Sequence, residues 1–314
     1  MSLLPRIFLL GPTASGKTEL TKFCYDNFSL RLINVDSTQV YKDFDIGSAK
    51  PTAEELKKYP HDLISTINPD NIYSVAQFKI DVETICNAIN PENQIPFFTG
   101  GTMMYFNALE NPLDHLPETK AKTRLLVNQE LKKNGLESMY KKLSKIDPIL
   151  ENKIRPTDTQ RILRAIEVFY DSGKPLSSFY KKNKVKNEVK DPLLKIGLYP
   201  SDRKILHKVI EKRVDDMIKK GLVEEVEQIL KKYPNLNDSF SSLRSVGYKQ
   251  TYLYLSGQLT FEELREKIIF SSRQLAKRQL TWMRKMSNIN FFDPYDKCLN
   301  LKVTERIKKF LDQS

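Results

Sequence analysis

Apolar positions in the first third of the chain come in short runs separated by longer amphipathic stretches: residues 7–10, then 19–28, 30–35, 74–89 and 95–98. The short runs predict buried strands, and the longer periodic stretches predict helices. Strand, helix, strand, helix, strand is the order of a parallel sheet covered by helices. From about residue 118 to 171 the strand pattern disappears and helical periodicity takes over, in Leu125, Leu126 and residues 129–131, then again over 162–170. An all-helical insert is the simplest consequence. One helix start within it is marked by Pro156 and by Thr157, which stands at capping-box spacing from Gln160; its end is expected near Gly173. A further apolar run, 193–198, predicts a strand rejoining the sheet, followed by helices over 203–220 and 222–233. The remainder, 261–285 above all, reads as helix. The predicted organisation is thus an α/β core begun over 1–112, a helical insertion over 113–190, and core completion with basic helices over 191–314. The stretch KKNKVKNEVK, residues 181–190, has five lysines against one glutamate and reads as a solvated linker.

Charge narrows the function. Among 314 residues, 51 Lys and Arg stand against 39 Asp and Glu, a net charge of +12 that favours a polyanionic partner, either nucleic acid or a phosphorylated small molecule. The 40% hydrophobic content suits a folded chain, and no apolar run approaches the roughly 18 residues of a membrane span. The early apolar run is broken by Pro5 and Arg6 and lacks a small-residue cleavage pattern, so no secretory leader is expected. Cys24, Cys86 and Cys298 lie far apart with no CxxC pair, which points to a reduced cytoplasm and to neither a disulfide framework nor a zinc knuckle. His61, His115 and His207 share no ligand spacing.

The strongest chemical signal is GPTASGKT, residues 11–18, a complete GxxxxGK[ST] placed after a predicted strand and before a helix expected to start at Glu19. Gly11 and Gly16 let the amides of Thr13, Ala14 and Ser15 turn toward a phosphate chain, and the following helix N-terminus adds positive potential. Lys17 would reach the terminal phosphates, and the Thr18 hydroxyl would sit on Mg²⁺. A P-loop NTPase-like core is therefore expected. Phosphoryl transfer normally recruits a carboxylate after a second strand, yet residues 95–98 run into Thr99, Gly100, Gly101 and Thr102 without one. Residues 30–35 end at Asp36. A lone aspartate there reads equally as an Asx turn or as an acid/base group; its place at a strand end beside the phosphate loop makes it the best acid/base candidate.

Taken together, GPTASGKT, VDSTQVYKDFDIGSAKP (35–51), IPFFTGGTMMYFNAL (95–109), DTQRILRAIEVF (158–169), SLRSVGYKQ (242–250) and RQLAKRQLTWMR (273–284) resemble the tRNA dimethylallyltransferases, in order over about 280 residues. The resemblance implies transfer of a dimethylallyl group from dimethylallyl diphosphate to N6 of the adenosine immediately 3′ of the anticodon, with diphosphate released. It also implies that the phosphate loop grips the donor diphosphate and hydrolyses no nucleotide. By position, Asp36 matches the aspartate that accepts the adenine amino proton, Thr102 the threonine of the reaction channel, and Arg213 the arginine that holds the leaving diphosphate alongside Lys17. The anticodon stem-loop would meet Asp36, Ser37, Thr38 and Gln39; Gln160, Arg161, Ile162, Leu163 and Arg164; and Arg244, Ser245, Val246, Gly247, Tyr248 and Lys249. Lys277, Arg278 and Arg284 of the basic helix join them, and Arg124 aligns within the variable insert. Thr38 and Gln39 after Asp36-Ser37, and Ser48 where threonine is frequent, depart from the common pattern.

These roles suit the chemistry. An allylic carbon losing diphosphate gathers negative charge on the leaving oxygens, where Lys17, Arg213 and a metal on Thr18 would act. The delocalised amine of adenine needs a proton acceptor, and the base must leave its stack. The Gln39 carboxamide is of the kind that pairs with the two edge positions of adenine. Arg273, Lys277 and Arg284 fall on one helical face by spacing and could follow a phosphate backbone, whereas Trp282, the only tryptophan, reads as a packing residue. A monomer without membrane association is expected. The rival class is a small-molecule P-loop kinase of the nucleotide or shikimate type, which gives no reason for the basic C-terminal helix. A nucleic-acid binding module with a vestigial loop is countered by the intact Lys17, Thr18 and Asp36.

Overall fold

The short apolar runs pair side by side in the computed structural model, which describes residues 4–90, 93–111, 116–117, 119–180 and 191–313. In chain order the elements begin β1 (Arg6–Leu10), α1 (Lys17–Asn27), β2 (Leu30–Val35), α2 (Ala53–Lys58), β3 (His61–Asp62), α3 (Val75–Asn87), β4 (Ile95–Gly100) and α4 (Met103–Glu110). Next come α5 (Ala121–Ile146), α6 (Pro148–Glu151), α7 (Thr159–Ser172) and a short 3₁₀ turn (Leu176–Phe179). The chain continues through β5 (Leu193–Leu198), α8 (Arg203–Lys219), α9 (Leu222–Lys232), α10 (Tyr248–Leu255), α11 (Phe261–Met283), β6 (Ile289–Phe292) and α12 (Leu299–Leu311). All six strands are parallel, in the order β3-β2-β4-β1-β5-β6.

The chain divides into two compact units, residues 1–111 with 190–314, and residues 112–189. In the first, successive strand residues point to opposite faces, and β1, β2, β4 and β5 are covered on both, so they carry apolar residues on each face. Ile7, Leu9, Leu32, Phe97 and Ile196 pack on Leu20 and Cys24 of α1 and on Val303 and Ile307 of α12. Phe8, Leu10, Ile33, Val35 and Phe98 pack with Phe78 and Val82 of α3, Phe106 of α4 and Ile268 of α11. This is the parallel sheet flanked by helices that the hydrophobic pattern predicts. The unit of residues 112–189 has a separate core in which Val127, Met139 and Leu143 of α5 meet Ile162, Ala165 and Ile166 of α7. No described helix is long and apolar enough to cross a membrane.

Several details differ from the sequence-based expectation. Strand β3 is only two residues long and polar, and β6 is an edge strand of four residues, interrupted by Asn290, of which three are half-exposed and Phe291 is exposed, so neither carries a buried apolar run. Strand β4 extends to Gly100 because that residue pairs with Val35. Helix α1 starts at Lys17 instead of Glu19, directly out of the phosphate loop. Helix α7 is capped by Asp158 and not by Thr157: the Asp158 carboxylate accepts from the Arg161 amide at 3.2 Å. Its end at Gly173, with φ of 68°, is the left-handed cap expected there. The lysine-rich stretch 181–190 lies outside the described residues.

Candidate functional site

Three chain segments leave the C-terminal ends of the adjacent strands β1, β4 and β2, the usual ligand edge of an open parallel sheet. After β1 comes the phosphate loop, in which Ala14 at φ 62° and Gly16 at φ 78° turn the backbone into the left-handed region. Ser15 is buried and its hydroxyl donates to the Pro12 carbonyl at 2.8 Å, fixing the loop from inside. After β4 the chain must pass close to β2. A Cβ on Gly100 would lie 2.1 Å from the Val35 carbonyl oxygen, so only glycine fits. The Thr102 amide then donates to that same carbonyl at 3.1 Å. After β2 comes Asp36.

A cavity of about 360 Å³ joins these segments to α8 and α11. Thr13, Ala14, Ser15, Gly16, Lys17 and Thr18 line one end, with Asp36, Gly101 and Arg213 nearby, and the Gly11 carbonyl accepts from Lys17. The Lys17 ammonium donates to the carbonyls of Gly11 at 2.9 Å and Pro12 at 2.7 Å. Burial, reinforced by repulsion from Arg213 and opposed by Asp36, lowers its pKa from 10.5 to about 7. Burial also lowers the pKa of Arg213, which Asp36 opposes, and Arg213 makes no ion pair among the described residues. Two cations are thus held close together without a carboxylate partner for either, an arrangement that calls for an anion. Apolar lining comes from Val209, Ile210, Val214 and Met217 of α8 and Ile268 and Leu275 of α11. Sequence reasoning missed this lining because 210, 214 and 217 carry the same spacing as ordinary core residues of α8.

A second cavity, of about 410 Å³, shares Asp36, Thr38, Gly101, Val246, Leu275 and Gln279 with the first and adds Ser37, Thr102, Met104, Arg244, Ser245, Arg278 and Trp282. Asp36 makes the Asx turn that the sequence left open: its Oδ1 accepts from the amides of Thr38 at 2.8 Å and Gln39 at 3.2 Å. Its Oδ2 has no hydrogen-bond partner among the described residues and lies toward Gly101. Turn former and acid/base candidate are therefore compatible, one oxygen each. The Thr102 hydroxyl accepts from the Ser37 amide at 3.0 Å and donates to the Ser37 hydroxyl at 3.2 Å. Thr38 donates to Ser245 at 3.1 Å, so the segments around 37 and 245 meet at this cavity.

Other expected contacts are placed differently. Ile162 and Tyr248 are fully buried inside their own units, so neither side chain is free to touch an RNA. Gly247 is buried as well, at φ 93° before α10, although it lines the first cavity. Leu163 packs against the core of its unit, Arg161 pairs with Asp158, and Arg164 is held by Thr119 and the Pro117 carbonyl. Gln160 is exposed, and Arg124 is half-exposed. The Gln39 carboxamide spends its donor end on the carbonyls of Ser48 and Ala49, both at 3.2 Å, which corrects the expectation that it is free to read adenine with both ends. Arg273 pairs with Glu211 and drops out of the expected basic row. Lys249, Lys277, Arg278 and Arg284 remain exposed. Trp282 is 40% exposed and lines the second cavity, which corrects the expectation that it is a packing residue.

A family model described as IPP transferase matches residues 39–286, and one described as isopentenyl transferase matches residues 5–64. The chain belongs to the tRNA dimethylallyltransferase family. Relatives named tRNA dimethylallyltransferase include one from Methylobacillus flagellatus, 43% identical over 98% of this chain and 97% of the relative, and one from Legionella pneumophila strain Paris, 40% identical over 98% and 97%. Solved tRNA dimethylallyltransferase-family structures agree in fold. A full-length tRNA isopentenylpyrophosphate transferase from Bacillus halodurans is 32% identical with a TM-score of 0.69, covering 99% of this chain and 98% of that one. A eukaryotic dimethylallyltransferase described as acting on tRNA is 25% identical with a TM-score of 0.79, covering 99% and 80%.

Proposed function

We propose that this protein transfers the dimethylallyl group of dimethylallyl diphosphate to N6 of the adenosine immediately 3′ of the anticodon of tRNA, releasing diphosphate. The observation that carries the reading is the pair of adjoining cavities, one with half-buried cations and apolar lining, the other with polar and aromatic groups, which share Asp36. An apolar five-carbon group on a diphosphate matches the cationic and the apolar lining of the first cavity. Lys17 and Arg213 neutralise the diphosphate, the amides of residues 14–18 donate to it while the Thr13 amide is spent on Gln279, and the apolar residues of α8 and α11 hold the allyl group. As the C1–O bond breaks, its electron pair leaves with the diphosphate, where the two cations stabilise the growing charge. The N6 lone pair forms the new bond to C1, and Asp36 Oδ2 takes the N6 proton. Thr102, anchored on Ser37, orients the amine.

Mg²⁺ fits this donor set. Among the described residues no group of three or more His, Cys, Asp or Glu could hold a metal by itself. A hard ion here would instead be held by the Thr18 hydroxyl with diphosphate oxygens and water, as is usual for Mg²⁺. When bound it supplies further charge neutralisation of the leaving group. The exposed cations Arg244, Lys249, Lys277, Arg278 and Arg284 are the surface that would meet the RNA backbone, and the cytoplasm, where tRNA is found, is the compartment.

The test is incorporation of labelled dimethylallyl diphosphate into defined anticodon stem-loops, beside reactions with AMP and with ATP and small acceptors. Label that appears in the stem-loop and is lost when the target adenosine is replaced supports the reading. Equal labelling of AMP, or phosphate transfer from ATP, would replace it by a nucleotide-directed prenyltransferase or a kinase.

A further inference from the structure

A buried carboxamide lines both cavities and bonds to both the phosphate loop and the loop after β4. Gln279 of α11 is only 7% exposed and lines each cavity. Its Oε1 accepts from the Thr13 amide of the phosphate loop at 2.8 Å, and its Nε2 donates to the Gly101 carbonyl at 2.9 Å. The backbone groups fix the orientation, since an N–H can only donate and a C=O can only accept. From Gly101 the connection passes to Thr102 and on to Ser37 beside Asp36. A continuous set of bonds therefore runs from the donor loop, through one side chain, to the acceptor loop.

Resting on the proposed reaction, we infer that Gln279 is a positioning residue that sets the distance between the allylic carbon and the attacking amine. It acts through Thr13 and Gly101 and need not touch either substrate. Neither a hydrophobic residue nor a carboxylate can replace it. Methionine has the length but no polar ends, and glutamate keeps the acceptor for Thr13 while placing oxygen against the Gly101 carbonyl. Gly101 completes the constraint: a Cβ there would meet Gln279 Nε2 at 2.6 Å, so Gly101→Ala must displace the same bridge.

The inference is tested with full-length protein by single-turnover transfer to a stem-loop, together with direct binding of the stem-loop and of dimethylallyl diphosphate. Gln279→Met and Gln279→Glu are each expected to slow the chemical step by roughly 10²-fold, while Gln279→Met leaves both affinities within a few-fold of the parent. Misalignment should also raise the share of donor attacked by water, in which water oxygen bonds to C1, diphosphate departs with the C–O electrons and the proton passes to solvent. Dimethylallyl alcohol per diphosphate released measures that share. Gly101→Ala should add little to Gln279→Met, because both break one bridge. Ile307→Ala, in the core under α12 and lining neither cavity, controls for lowered stability and should leave the alcohol share unchanged. Parent-like rates in Gln279→Met, a loss of rate matched by a loss of affinity, or additive effects with Gly101→Ala would each overturn the inference. Failure of the parent itself to modify the stem-loop would instead remove the proposed function.

Discussion

Under the proposed reaction Asp36 has two duties, one for each oxygen, and this makes a clean substitution possible. Asn at position 36 keeps an Oδ1 for the amides of Thr38 and Gln39 but removes the carboxylate at the second position. Asp36→Asn should fold and bind RNA as the parent does, while the single-turnover rate falls by about 10²-fold or more. Lys17→Ala and Arg213→Ala should each cost on the order of 3 kcal/mol in the transition state by uncovering the leaving diphosphate; turnover near the parent's in folded variants would sink that assignment. Lys17 also predicts a pH signature. With a pKa near 7 in the free protein against 10.5 for an ordinary lysine, it is largely neutral at pH 8, and an arriving diphosphate draws a proton back onto it. Donor binding at pH 8 should therefore take up a proton, measurable by calorimetry in buffers of different ionisation heat. Affinity should fall as pH rises above about 7, and Lys17→Met should abolish both effects. Because the unfolded chain binds the extra proton between pH 7 and 10.5, this residue makes the ligand-free protein more stable as pH rises through that window. At this scale the sequence showed Lys17 and Asp36, since both sit in recognisable contexts. Gln279 was invisible: a glutamine in a helix carries no sign of being buried between two loops.

At the scale of elements, the DIGSAKP block has a physical reason. Glu225 of α9 accepts from three consecutive amides, those of Asp45 at 3.1 Å, Ile46 at 2.6 Å and Gly47 at 3.1 Å, and from the Tyr248 hydroxyl at 2.8 Å. Tyr248 stacks on Phe44 with ring centroids 4.0 Å apart, and a Cβ on Gly47 would lie 2.7 Å from its ring. Tyr248 thus supports the loop after β2 from beneath. Glu225→Ala leaves three backbone donors without their acceptor and should destabilise the protein by about 3 kcal/mol, seen in urea unfolding, with new proteolytic cleavage between residues 38 and 51. Cleavage unchanged would mean that water replaces the carboxylate. Hydrophobic period gave the long helices and the four apolar strands. It could not give β3 or β6, whose stability comes from pairing with a neighbour already in place.

For the whole molecule the charge of +12 gains meaning once paired residues are set aside. Arg273, Arg265 and Lys195 have carboxylate partners, so they add little to the field available to a polyanion. Lys277, Arg278 and Arg284 stay exposed near the C-terminal end of α11. Lys277→Ala should reduce the salt slope of tRNA binding by about 1 and weaken different accepted tRNAs alike; filter binding across a salt series reads this directly. A slope unchanged from the parent would place the phosphate contacts elsewhere. Sequence alone displayed the net charge, but only coordinates tell a bonded arginine from a free one.

The strand order also constrains how the chain is made. Strand β1 lies between β4 and β5, and Arg6 pairs with Leu193, nearly two hundred residues later. During synthesis one edge of β1 must wait, unpaired, until everything up to β5 has left the ribosome. Closing so long a loop is slow, but its entropy grows only with the logarithm of length, and prior collapse of residues 112–189 around their own core would shorten the path to be closed. The nascent chain is therefore most exposed to aggregation in the interval between the emergence of β4 and that of β5.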